Sequence, residues 1–380
     1  MLPGMSGIGV KVDSRSIRKA LRDAGGDFWI HFRTDSCTVD QLGQTLNEAN
    51  DPDGTFGEGP WKTPTGFVIR VQPGGPDNLD EWISRLVAGL ENLDATGKLE
   101  GTKPTYIEDW PTEDPTPAAF LAWTEDLDAV TADKYRRGHW HVPPEATERI
   151  VEHAAAWTQA GGDQSIVNMG SFPLAVAAEA DVASLMSSAL IHNDKTASTR
   201  YQPEQQRGRM AFLSPGGEAV MQAIGARVPW QQRLDAVRDA LSSLPSQYVD
   251  LAFIRSAPSY TRWWTQIDIR QKRDMRQKLP DLHESDIRYN RHLLSRYTPD
   301  AHGIQILTDQ HLALARDLSS WTIQELGHGR YLVEANDLAL WYSAPLPEQE
   351  VVDQARHDFG DIILTKEVIA SNPPHWRPAA

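Results

Sequence analysis

Between Arg255 and Tyr297 the chain carries ten arginines and lysines against five aspartates and glutamates, a local charge of +5. The whole chain has 37 basic and 52 acidic residues, net −15, so everything outside this stretch sums to −20. Aromatic residues are interleaved with the cations. Read as a strand, residues 260–270 set Tyr260, Arg262, Trp264, Gln266, Asp268 and Arg270 on one face, and Thr261, Trp263, Thr265, Ile267 and Ile269 on the other. Lys272, Arg273 and Arg276 extend the basic run, and Arg288 and Arg291 share one side of a helix expected after Pro280. Cationic grooves with aromatic platforms hold single-stranded nucleic acid, because every base has a stackable face and every linkage a charge. An acidic protein surface asks for the same cations. The plainer reading packs Trp264 under a helix and pairs the arginines within the chain: residues 104–133 hold eight acids and no Arg or Lys.

Two smaller groups suggest other chemistry. His139 and His141 flank Trp140, and on a strand this spacing sets both imidazoles on one face, where they can share a metal ion. A third ligand would have to come from Glu145 or His153. The spacing is not one with a ligating rationale, such as two histidines four apart on a helix, so the plainer reading is two partly buried histidines ahead of a helix start. Cys37, the single cysteine, falls between a strand and a helix N-terminus, where backbone N–H groups lower a thiol pKa. The following TVDQLG has no arginine to cradle a phosphate and no evident activating base, which favours a packed small residue over a nucleophile.

Several signatures are missing. There is no G-x-x-x-x-G-K-[ST], no G-x-S-x-G, no H-E-x-x-H and no Cys-x-x-Cys. Gly7-Ile8-Gly9 lacks the third glycine of a dinucleotide fingerprint and precedes the first strand. No cofactor is expected. A lone cysteine makes no intramolecular disulfide. The N-terminus shows no apolar signal run, and the most apolar-leaning stretch, Phe172 to Ile191, contains Glu179 and Asp181, a poor membrane span. A soluble cytoplasmic protein is the expectation. A pI near 5.2 argues against a surface that coats nucleic acid throughout, but it leaves room for one basic groove.

The elements that must position these groups follow from periodicity. Residues 14–24 predict a helix, and Phe28, Ile30 and Phe32 alternate with polar or amphipathic neighbours as a strand. Thr38 and Gln41 form a capping box for the next helix. Residues 50–64 read as a loop and Gly66 to Val71 as a strand. Asn78 and Glu81 make a capping pair for a helix whose Leu79, Trp82, Ile83, Leu86, Val87 and Leu90 form one apolar stripe. Residues 101–117, with four prolines, predict a boundary, and Pro117 the first turn of a helix running to Val130. A helix opens at Pro143-Pro144-Glu145, residues 193–208 read as a polar loop, and Arg209 to Leu213 as a strand. Helices are expected at 217–224 and from Pro229. Val249 to Ile254 and residues 260–270 predict a β-hairpin. Ile304 to Leu307 reads as a strand, Thr308 as an N-cap, Trp321 to Leu326 and Arg330 to Ala335 as a hairpin, and 348–358 as a helix.

The sequence therefore predicts an α/β or α+β protein with two main domains of mixed sheets and packed helices. A small α/β domain spans 1–105, a Pro-rich acidic linker 106–118, and a larger α+β domain 119–380, divisible near 225. The function expected is non-enzymatic binding, with the basic-aromatic face engaging an acidic protein partner or nucleic acid. Alternatives are a metal-dependent hydrolase or nuclease using dispersed carboxylates with His139 and His141, and a decoy whose acidic 104–133 run imitates nucleic-acid charge.

Overall fold

The structure, a computed structural model, describes residues 9–51, 53–105, 115–124, 143–170, 172–191, 195–225, 227–257, 290–343 and 346–373, together with 267–268, 273–274, 282 and 286–287. The chain divides into two compact units, Met1–Tyr106 with Asn168–Ala189, and Ile107–Val167 with Leu190–Ala380. The fold mixes α and β structure around a five-stranded and a ten-stranded sheet, as the sequence predicts.

In chain order the first unit contributes β1 (Val10–Asp13), α1 (Ser14–Ala24), β2 (Phe28–Arg33), α2 (Val39–Ala49), β3 (Phe56–Thr63), β4 (Gly66–Gln72), α3 (Pro76–Asn92) and β5 (Gly97–Thr102). Its sheet runs β1-β5-β2-β4-β3, with β1 and β5 parallel and the other pairs antiparallel. Phe28, Ile30 and Phe32 of β2, Ile69 and Val71 of β4, and Leu99 of β5 share one face. They bury it against Ile17 of α1, Leu42 and Leu46 of α2, and Trp82, Leu86 and Leu90 of α3. Thr38 and Gln41 make the capping box of α2 as predicted, exchanging hydrogen bonds of 3.2 and 2.9 Å. Helix α3 starts two residues before Asn78, because Pro76 presets its first turn, and no side chain caps it.

Residues 50–64, expected as a loop, contain β3. It is an edge strand, which tolerates its glycines and proline, and a bulge between Glu58 and Trp61 absorbs Gly59-Pro60. The Asn50 amide pins it, accepting from the Gly57 N–H at 2.7 Å, donating to the Gly57 carbonyl at 3.0 Å, and accepting from the Trp82 indole at 3.1 Å. A Cβ at Gly57 would stand 2.7 Å from the Trp82 ring, so only glycine lets the strand approach.

The larger sheet is built from β6 (Thr116–Trp123), β7 (Gln164–Met169), β8 (Phe172–Val176), β9 (Thr196–Gln202), β10 (Arg207–Ser214), β11 (Glu218–Gly225), β12 (Val249–Ala257), β15 (Ile304–Thr308), β16 (Trp321–Gly327) and β17 (Arg330–Ala335). Its order is β16-β17-β15-β12-β6-β11-β10-β9-β7-β8. A separate two-stranded ribbon joins β13 (Ile267–Asp268) to β14 (Arg273–Asp274). Helices α4 (Pro144–Gln159), α5 (Val182–Ile191), α6 (Trp230–Ser242), α7 (Asp309–Leu312), α8 (Ala339–Tyr342), α9 (Gln349–Phe359) and α10 (Lys366–Ser371) complete the described elements.

The helix from Pro117, the helix at 217–224 and the loop at 193–208 change here. The helix expected from Pro117 is instead the central strand β6, with all eight residues buried. TPAAFLAW is apolar without alternation, a pattern that suits a strand covered on both faces as well as a helix. The helix expected at 217–224 is β11. Gly217, at φ 69°, turns the chain straight back, and Leu213 pairs with Ala219 across the hairpin. The polar loop at 193–208 contains β9, whose Ser198 hydroxyl meets that of Thr158 in α4 at 2.9 Å. Strand β12 has β6 along one edge and β15 on the other at Ala252 and Phe253; most of 260–270, expected as its hairpin partner, lies outside the described residues.

Candidate functional site

The basic stretch begins inside the large sheet. Arg255 is buried on β12, its guanidinium carbon 4.0 Å from the centre of the Phe120 ring and 5.5 Å from that of Phe253. At the other end Arg291, in the 3₁₀ turn Arg291–Leu293, is also buried. Its Nη2 donates to the carbonyls of Trp123 at 2.9 Å and Gly217 at 2.8 Å. Arg291, expected on a partner-binding face, is thus turned inward as a tie. Trp123 pairs with Val249, the first residue of β12, so the two arginines mark opposite ends of that strand. Between them Leu282 enters a small core with Leu293, Tyr297 and Leu364.

Arg273 lies in β14, in register with Asp268 of β13. Tyr260, Arg262, Trp264, Arg270, Lys272, Arg276 and Arg288 lie outside the described residues, as do His139 and His141. With Ala257 and Leu282 as the flanking anchors, residues 258–281 hold six basic and three acidic residues, so the interval keeps a charge of +3.

The large sheet carries a buried row with polar members that the strand patterns did not single out. Thr199, Met210, Gln222, Ala118 and Arg255 stand side by side across β9, β10, β11, β6 and β12. The neighbouring row contains Phe120, Phe253 and Gln305. The reverse face, apolar at its centre, lies under α4 and α6. It is fixed there by the Arg238–Glu334 ion pair, at 2.5 and 2.6 Å, and by Arg209 seated 4.1 Å over Trp157. His302 stacks on Phe253 at 4.0 Å and 9°. Burial, with Arg255 and Arg356 nearby, holds its imidazole well below the ordinary histidine range. A group that stays neutral throughout physiological pH is a poor general acid–base and a good stacking and hydrogen-bonding surface. The His302 Nδ1 and both amide atoms of Gln305, which is 0% exposed, meet no hydrogen-bond partner among the described residues. A signal was available: Gln222, Arg255 and Gln305 each interrupt an otherwise apolar strand at an inward position.

The remaining candidates are accounted for by packing. Cys37 is half-buried, and burial raises its thiol pKa, the reverse of the lowering expected ahead of a helix N-terminus. His153 is half-buried on α4, and desolvation holds it below its ordinary value. Among the described residues no three His, Cys, Asp or Glu side chains gather to hold a metal ion. In the first unit a cleft of about 630 Å³ opens beside α1, lined by Lys19, Asp23, Asp27, Trp29 and Lys103. Its two lysines and two aspartates select neither sign of charge, and Asp27 already holds Arg70 at 2.5 Å. No helix among the described residues is long and apolar enough to cross a membrane. Compared with known protein families and with curated proteins, the chain matches none.

Proposed function

We propose that this chain is a non-enzymatic cytoplasmic binding protein that offers residues 258–281 to an acidic protein surface or to nucleic acid. The observation that carries this reading is the anchoring. A 24-residue interval, rich in cations and aromatics, is held at Ala257 by a central strand and at its far side by Leu282 and the Arg291 tie. Binding residues are disproportionately carried on connecting segments that a rigid scaffold positions. Tyr260, Arg262, Trp264, Arg270, Lys272, Arg273 and Arg276 supply the contacts, with Arg288 adding to them from beyond the Leu282 anchor, and Arg255 and Arg291 hold the scaffold.

The test is a titration of the purified chain with short labelled single- and double-stranded DNA and RNA at two salt concentrations. The Arg273→Glu/Arg276→Glu variant is measured beside it. Affinity that falls steeply with salt and is lost in the variant supports the nucleic-acid form. Absence of binding at low salt leaves the acidic-protein form, tested by partner capture with the same variant. Binding that survives the double reversal overturns the assignment of this segment.

A further inference from the structure

Among the described residues strand β16 is an edge of the large sheet, paired with β17 alone. Its residues Thr322, Ile323, Gln324 and Glu325 are exposed one after another. Among the described residues no backbone group outside β17 bonds to these four; the turn at Ser246 reaches only the Leu326 carbonyl, at 3.4 Å. Protein edges are normally guarded by lysine, proline or a covering element. Here no lysine or proline stands in the exposed run, and Glu325 is its one charge. Apolar side chains lie beside the open edge. Ile323, on the same face as Trp321, is 44% exposed. Trp321 lies 6.2 Å from Trp341, whose neighbour Leu340 is 54% exposed.

We propose that this edge pairs with the same edge of a second copy, antiparallel about a two-fold axis at Ile323. The sequence is self-complementary in that register. Ile323 meets the second Ile323, Thr322 meets Gln324, and Trp321 meets Glu325, so no charge faces its own kind. The isologous contact satisfies the outward N–H and C=O groups of both strands and covers the apolar side chains at the edge. An unrelated extended partner would need its own complement to this pattern, whereas a second copy brings it by symmetry.

The test is sedimentation of the full chain over roughly 1–100 μM, a range chosen to span weak association. A concentration-dependent dimer is expected. Ile323→Lys sets two like charges opposite each other and shifts the chain to monomer, with an unchanged circular dichroism spectrum because the side chain is already exposed. Ile323→Cys in a Cys37→Ser background reports the register. Directly facing residues of an antiparallel pair have Cα atoms about 4.5–5.5 Å apart, within disulfide range, so mild oxidation yields a covalent dimer. A chain monomeric across the range overturns the proposal, and so does a dimer that Ile323→Lys leaves intact.

Discussion

His311 sets a pH limit on the stability of this fold, and one substitution isolates it. The residue occupies the third position of α7, where its Nδ1 accepts from the Thr308 N–H at 3.0 Å. Burial holds its pKa to about 4, with the Tyr297 backbone pulling the other way. In the unfolded chain the imidazole titrates near 6.5. A group whose folded pKa is depressed contributes stability that is complete above the unfolded value and is lost as pH falls toward the folded one. At pH 5 the unfolded ring is charged and the folded ring is not, some 1.5 units into that window. At about 1.4 kcal/mol per unit, the folded state has then lost on the order of 2 kcal/mol through this one side chain. Gln at the same position keeps a capping acceptor and cannot titrate. His311→Gln is therefore expected to cost about 1 kcal/mol at pH 7, from imperfect repacking, and to lose about 2 kcal/mol less than the parent between pH 7 and pH 5. Urea unfolding at both pH values, followed by tryptophan fluorescence, measures the difference. His31, also held near 4, and His302 add to the acid loss equally in both proteins and cancel. Equal losses in parent and variant would refute the argument.

Two further outcomes follow from buried polar groups. Asp300 is fully buried and takes hydrogen bonds of 2.8 and 2.9 Å from Arg356; burial pushes its carboxyl pKa up, and Arg356 pulls against that. Asp300→Asn is expected to cost about 3–5 kcal/mol by removing the buried counter-charge of the guanidinium, whose other partner, Asp353 at 3.2 Å, is exposed, and Asp300→Asn/Arg356→Met to recover most of it; a single-variant cost under about 1 kcal/mol in thermal unfolding would show that the pair is not a clamp. Gln305→Leu removes an amide with no described partner, so unfolding free energy should hold steady or rise by about 1–3 kcal/mol, and a fall of that size would reveal a partner not among the described residues.

Local chemistry was legible where one residue type dictates one geometry. Thr38 with Gln41 announced the start of α2, Pro143-Pro144 that of α4, and Gly327-His328-Gly329 the turn of the β16–β17 hairpin. The stripe from Leu79 to Leu90 gave α3 because a surface helix needs one apolar face. Period failed in the middle of the large sheet. Strands buried on both faces show no alternation, so β6 and β11 resembled helices, and only pairing decides such runs. Strand β9 failed in the opposite sense: its threonines and serine looked solvated, yet the sheet buries them. The inward turn of Arg291 was illegible because its acceptors are carbonyls of residues 123 and 217, far away in sequence. The polar row of Gln222, Arg255 and Gln305 also depends on register, although each residue breaks an apolar strand by itself.

The position of β6 bears on how this chain is made. The five-stranded sheet is complete once residue 102 has been synthesised. Strand β6, at 116–123, finds its partners only at 218–222 and 249–257, on either side of it. At about 5–20 residues per second, the wait from Trp123 to Ala257 lasts on the order of 7–27 s on the ribosome. Until residues 218–222 are made TPAAFLAW is an apolar segment with neither neighbour in existence, and until 257 it lacks one of the two, so during translation it is a part of the chain with need of a holding chaperone.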